Sequence, residues 1–245
     1  MRKKKALLLG LKIFLSMGLI LWITHNISLE QVWLVIADAR MTLLCFAFSL
    51  FFVGYFITAF RWRMLIRAQG GDAPILYLVR SFMVAIFFNN FLPSTIGGDT
   101  VRMYDSWRLG NTTSGAVSVV LVDRFLGVSA LLLIALLALL MDPQISTQFP
   151  SITIWVGITI FSAGLLVWIV LNTPPGKIET FALKSSGVIR KLAGFLGKVL
   201  NTLQSYKNSP GAVVRALLLS FLLQLNVVIH FIFLTKALDI DVPFE

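Results

Sequence analysis

Cysteine, histidine and acidic residues are all scarce in this chain. Its 245 residues include one cysteine, two histidines and 11 acidic residues. A lone Cys45 cannot close an intrachain disulfide, so no disulfide scaffold holds the fold. His25 and His230 stand at opposite ends of the sequence, and no HxxxH or CxxC spacing exists. Such a set argues against a transition-metal site, and His230 reads as a polar packing residue in a late span. Charge is thin overall: 13% of residues are charged, against about 25% in ordinary soluble domains. That leaves no room for a soluble catalytic domain. The apolar runs are continuous rather than alternating, which excludes a membrane β-barrel. No small-x-small cleavage pattern follows the first apolar run, so it reads as an uncleaved span rather than a secretory signal.

What the chain has in abundance is apolar length: 58% of its residues are hydrophobic. Crossing a bilayer core of about 30 Å takes roughly 20 helical residues. Five runs qualify, at 6–24, 41–60, 115–141, 151–171 and 216–234. The expected fold is therefore all-α, a polytopic membrane protein whose single membrane domain covers 1–245. Arg2, Lys3, Lys4 and Lys5 precede the first run, and Arg61, Arg63, Arg67 and Arg80 follow the second. The long segment after 171 carries Lys177, Lys184, Arg190, Lys191, Lys198, Lys207 and Arg215, whereas the stretch after Met141 has no basic residue. By the positive-inside rule the basic loops and the N-terminus face the cytoplasm.

The stretch 81–98 begins as a span and fails to finish as one. Asn89, Asn90, Pro93, Gly97, Gly98 and Asp99 follow directly on an apolar run. Helix-breaking backbone at membrane depth survives only inside protein or beside a watery cavity. Position 80 belongs inside and position 142 outside, and 115–141 supplies one crossing. The segment 81–98 must then enter and leave on the cytoplasmic side, as a re-entrant hairpin. The segment 178–206 reads as a basic amphipathic helix, or as a solvated basic loop that obeys the same topology rule. Val188, Leu192, Phe195, Val199, Leu203 and Tyr206 recur at three and four residues, while Lys184, Lys191 and Lys198 repeat every seven. Such a helix lies in the membrane interface and favours anionic headgroups.

Asp123 and Arg124 fall inside an otherwise apolar span, where a charge needs a partner or water. Neighbours on a helix do not face each other. Asp123 is expected to meet Arg102 or Arg80, and Arg124 a lipid phosphate or a carboxylate, either as a functional site or as a structural ion pair that locks the hairpin against this span. The run after Gly98 reads as a short helix with Asp99 at its N-cap and Gly110 as its stop. Within it Arg102 and Arg108 can pair locally with Asp99 and Asp105 at three-residue spacing. Its glycine-flanked N-terminus is a ready anion site, or a tight turn whose glycines serve close packing. Gln224 and Asn226 read as interhelical glue. Asp239 and Asp241 spell a DxD, a pattern that can hold a metal–sugar–phosphate but more often is solvated.

The combination NNFLPSTIGGDTVR followed by VDRFLGVSALLL resembles the lysylphosphatidylglycerol synthase transmembrane region family over nearly the whole chain. The resemblance implies the flippase-like membrane half of the multiple peptide resistance factors, or one of the stand-alone inner-membrane members. It implies a lipid or headgroup site at Asn90, Pro93, Gly97, Gly98, Asp99, Arg102, Asp123 and Arg124. No catalytic residue, metal or cofactor is expected, and no aminoacyltransferase domain is read in these residues. Family members usually continue through more spans, so an end just after the last span reads as a C-terminal truncation. The expected activity is binding and translocation of a phospholipid or polyprenyl-phosphate-type lipid in a bacterial inner membrane. Alternatives are a noncatalytic subunit for an envelope-synthesis partner, or a transferase on lipid-linked substrates. Expected partners are anionic membrane lipids, and nucleic acid is not among them.

Overall fold

A computed structural model describes residues 17–18, 21–22, 28–91, 96–174, 176–184 and 186–240. Of these, 88% are helical and none lies in a strand, so the fold is the all-α polytopic membrane architecture expected. In chain order the helices are α1 (Leu29–Ala37), α2 (Met41–Arg67), α3 (Ile75–Phe91), α4 (Ile96–Arg108) and α5 (Thr113–Met141). There follow α6 (Pro143–Gln148), α7 (Pro150–Asn172), α8 (Lys177–Lys184), α9 (Gly187–Ser205), a 3₁₀ turn (Tyr206–Asn208) and α10 (Pro210–Ala237). Among the described residues, α2, α5, α7 and α10 are long and apolar enough to cross a membrane. The expected first span, 6–24, lies outside the described residues apart from Met17, Gly18, Leu21 and Trp22, which are helical.

The chain divides into two compact units, Met1–Ser49 with Ile229–Glu245, and Leu50–Val228. In the first unit, the His230 ring lies 2.8 Å from the Ala47 carbonyl and the Phe46 and Phe233 rings pack at 4.6 Å. Half-buried and bonded to backbone, His230 is a packing residue. Asp239 adopts φ +52° just past α10, and its carboxylate meets Arg40 at 3.4 Å where both are exposed. Asp241, the other half of the DxD, lies outside the described residues.

The second unit holds the core, built on Trp62, Leu65, Ile66, Leu78, Val119 and Ala216. Here α2 runs seven residues past the expected end of its span. Apolar Trp62, Leu65 and Ile66 continue the helical spacing beyond Phe60 and are fully buried. Gly70 and Gly110, with φ of +87° and +97°, end α2 and α4 by one device. Each permits the left-handed turn that lets the next N–H reach back to the last helical turn, Gly71 to Ile66 O and Asn111 to Ser106 O. The two turns also touch. A Cβ on Gly71 would stand 2.9 Å from both the Leu109 carbonyl and the Asn111 side chain. Thus α3 and α4 leave and return at one level.

Between those turns the two helices pack antiparallel. Ser81 and Tyr77 of α3 both donate to the Asp105 carboxylate of α4. At the far end, Gly98 lies flush on α3, where a Cβ would fall 2.5 Å from the Ala85 carbonyl. Its N–H donates to Asn89 Oδ1 at 2.7 Å. Because α4 begins at Ile96, Asp99 is not an N-cap but a first-turn residue, where a carboxylate still favours the helix dipole. The expected single amphipathic helix over 178–206 is two helices, α8 and α9, interrupted before Gly187 at φ +60°.

Candidate functional site

The centre of the second unit is a buried ion cluster drawn from three helices. Asp123 of α5 is only 3% exposed at its side chain. Its Oδ1 accepts from Arg61 Nε of α2 at 2.6 Å, and its Oδ2 accepts from Arg102 Nη1 of α4 at 2.9 Å. Arg61 also donates from Nη1 to Ser220 Oγ of α10 at 2.8 Å. Asp123 is 10 residues into α5 and Arg61 six from the end of α2. At 1.5 Å per residue the cluster lies about 10–15 Å below the end of the helices.

Arg102 is the unusual member. Its guanidinium carbon sits 4.8 Å from the Trp62 ring centroid and 5.7 Å from that of Phe82. Both contacts are cation–π, favourable when the cation is desolvated. Trp62 is fixed in turn by donating from Nε1 to Ser106 Oγ at 3.1 Å. One nitrogen of Arg102 is taken by Asp123, yet buried Nε and Nη2 have no hydrogen-bond partner among the described residues. Those two nitrogens form one bidentate edge of the guanidinium, the fork that matches the oxygens of a phosphate or carboxylate. With two arginines and one aspartate the cluster also keeps one positive charge in excess.

A second pair stands beside it. Arg124 donates from Nε to Asp99 Oδ2 at 2.5 Å, with the arginine side chain 47% exposed and the aspartate 16%. It ties the first turn of α4 to α5, and Arg124 finds its partner in a carboxylate of its own chain. The local pairs expected inside α4 do not form. Arg102 and Asp99 reach α5 instead, and Asp105 is held by Ser81 and Tyr77 of α3. The antiparallel hairpin turns these side chains toward neighbouring helices, and inter-helix contacts win over three-residue spacing.

The structure therefore gathers Asp99, Arg102, Asp123 and Arg124 into two ion pairs that tie α4 to α5. Gly98 packs on α3, and Gly97 follows Ile96 in the first turn of α4. Asn90 is exposed near the end of α3, and its neighbour Asn89 makes the contact to α4. Pro93 lies outside the described residues. Arg80 is exposed on α3, and the partner of Asp123 that sequence reading missed is Arg61. The signal was present in the apolar spacing of Trp62, Leu65 and Ile66, which shows the helix continuing, buried, through Arg61. Ser220 carries no such signal, since serine in a span has many uses.

Long apolar helices around a buried charged cluster define an integral, multi-pass membrane protein. Within that class, the chain belongs to the lysylphosphatidylglycerol synthase TM region family, whose profile matches residues 8–245. Comparison with curated proteins and with solved structures returns no match.

Proposed function

We propose that this protein binds the phosphate of a phospholipid or polyprenyl-phosphate-type lipid at the Arg61–Asp123–Arg102 cluster and carries it across a bacterial inner membrane. The observation that carries the reading is the open bidentate edge of Arg102. A buried donor left unsatisfied costs about 1–3 kcal/mol, more for a charged group. A phosphate oxygen pair would satisfy both nitrogens and offset the excess positive charge. Asp123 orients the two arginines and keeps their mutual repulsion in check. Family membership supports a lipid-related role.

The edge lies beneath Trp62 and Phe82, so loading needs the α3–α4 hairpin, which carries Arg102, to shift against α2 and α5. The Arg124–Asp99 pair is half-exposed and joins the moving parts. Its carboxylate can be released when Arg124 turns to an arriving headgroup. The hairpin would act as a re-entrant element on the cytoplasmic side, and the role is transport rather than catalysis.

Leaflet-resolved movement in proteoliposomes tests this, with fluorescent phosphatidylglycerol, lysyl-phosphatidylglycerol and a short polyprenyl phosphate. Wild type should move one of them, and Arg102→Met should abolish that movement while remaining folded, because Asp123 keeps Arg61 as its partner. Movement undiminished in folded Arg102→Met would remove the cluster from the pathway. No movement of any lipid by folded wild type would favour a noncatalytic subunit instead.

A further inference from the structure

A different surface carries an interaction independent of the cluster. The C-terminal half of α9 and the 3₁₀ turn that follows it are tied to the ends of three spans. Ser118 near the start of α5 donates to Val199 O, Gln204 Nε2 donates to Val170 O at the end of α7, and Tyr206 Oη donates to Leu65 O in the last turn of α2. Those anchors fix α9 at the level where the spans end, which in a membrane is the headgroup layer.

The N-terminal half has no such cover. Every residue from Ser186 to Leu192 is exposed. Val188, Ile189, Leu192 and Leu196 form one side at helical spacing, 50–80% exposed. The other side is a shallow groove of about 660 Å³, lined by Arg190, Lys191 and Lys198 with Gly187, Gly194 and Phe195. Its two glycines leave the floor low between the long basic side chains. Residues 177–215 contain seven basic residues and one acidic residue, so the local field is strongly positive. A rigid helix at headgroup depth, apolar on one side and basic on the other, matches one environment: a lipid surface that offers acyl chains and negative charge together.

We propose that the exposed half of α9 is a docking surface for anionic phospholipid of the leaflet at that end of the spans. Val188, Ile189, Leu192 and Leu196 sink into the acyl boundary. Arg190, Lys191 and Lys198 hold phosphates over the groove. The surface acts on bulk leaflet lipid, not on cargo, so it stands even if the Arg102 cluster proves purely structural. A soluble or membrane protein partner with an acidic, apolar face is the competing occupant.

Two readouts on the full chain decide between them, both in a Cys45→Ala background. An environment-sensitive fluorophore at Leu192→Cys should be quenched by chain-brominated lipid, and one at Lys191→Cys by aqueous iodide, in protein-only vesicles. A Leu192 label that stays aqueous there would overturn the proposal and point to a protein partner. Second, spin-labelled phosphatidylglycerol should associate with the protein in preference to phosphatidylcholine. Converting Arg190, Lys191 and Lys198 to Gln should lower that preference at low salt, by up to about fivefold per charge removed. Equal selectivity in wild type and the triple variant would equally overturn the proposal, whatever the transport assay gives.

Discussion

At the residue scale, Asp123 and Arg102 share an ion pair but differ in what their loss leaves behind. Removing Asp123 strands two buried arginines without a counter-charge. Leaving a buried charge uncompensated costs about 3–5 kcal/mol. Asp123→Asn should therefore lower thermal stability in detergent far more than Arg102→Met, which leaves the neutral pair Arg61–Asp123 bonded through Nε and Oδ1. Equal losses in the two variants would mean that Arg102 has no role separable from structure. Gly98 offers a second test, because the nearest atom to an added Cβ is backbone, with the Asn89 side chain beside it. An added methyl would meet the Ala85 carbonyl at 2.5 Å, so Gly98→Ala must push α4 away from α3. Overpacking of this kind costs about 1–3 kcal/mol. Gly127→Ala is the control, since its Cβ would meet nothing within 4 Å. If both variants melt with the wild type, the tight α3–α4 contact is not a determinant of stability.

At the element scale, the long spans were legible because unbroken apolar length has one use in a chain so poor in charge. Of the residues read as helix breakers around Pro93, Asn89 and Asn90 continue α3 and Gly97 and Gly98 lie within α4, because protein packing rather than lipid surrounds that backbone, as Gly98 against Ala85 shows; Pro93 itself lies outside the described residues. What could not be read was the partner of each charge. Sequence spacing fixes neighbours along a helix, whereas Asp123 takes its partners from residues 62 and 21 positions away. Arg61 was hidden further by its type, since a basic residue just after an apolar run reads as a topology signal. Its neighbours Arg63 and Arg67 do play that surface role. Both donate to Asp72 in the turn between α2 and α3, at 2.9 Å through their Nε atoms. The bond from Arg67, then that from Arg63, holds the Asp72 carboxyl well below the usual carboxylate range. A depressed folded value means that the turn keeps this contribution above the ordinary carboxylate pKa. It is lost only as pH falls through the lower folded value. Infrared difference titration of wild type against Asp72→Asn should accordingly show no protonation of Asp72 between pH 7 and about pH 4. Protonation within that interval would mean that the Arg63–Asp72–Arg67 bridge does not persist in a hydrated bilayer.

At the scale of the whole molecule, the proposed transport rests on an expected topology, which two unrelated observations support. Basic residues in the Arg63–Arg67 turn, in 177–191 and at Lys207 assign those segments to one side by charge. Packing of Gly71 against Leu109 and Asn111 returns the chain to its starting level after α3 and α4 by geometry alone. Helix α3 has 17 residues, about 25 Å at 1.5 Å per residue, which is short of a core of about 30 Å. Both lines predict one pattern of reactivity toward a membrane-impermeant thiol reagent in a Cys45→Ala background. Cysteines at Pro74, Thr113 and Lys207, all exposed, should label together from the cytoplasmic face. A cysteine at Gln144, also exposed, should label only from the opposite face. One at Asn90, near the tip of the hairpin, should resist reagent on that opposite face if the hairpin turns back within the bilayer. Labelling of Asn90→Cys together with Gln144→Cys would make α3 and α4 two full crossings. The chain would still return to the same side, but the cluster would then lie between complete spans, and Arg102 would have to move with a whole transmembrane helix rather than with a re-entrant one.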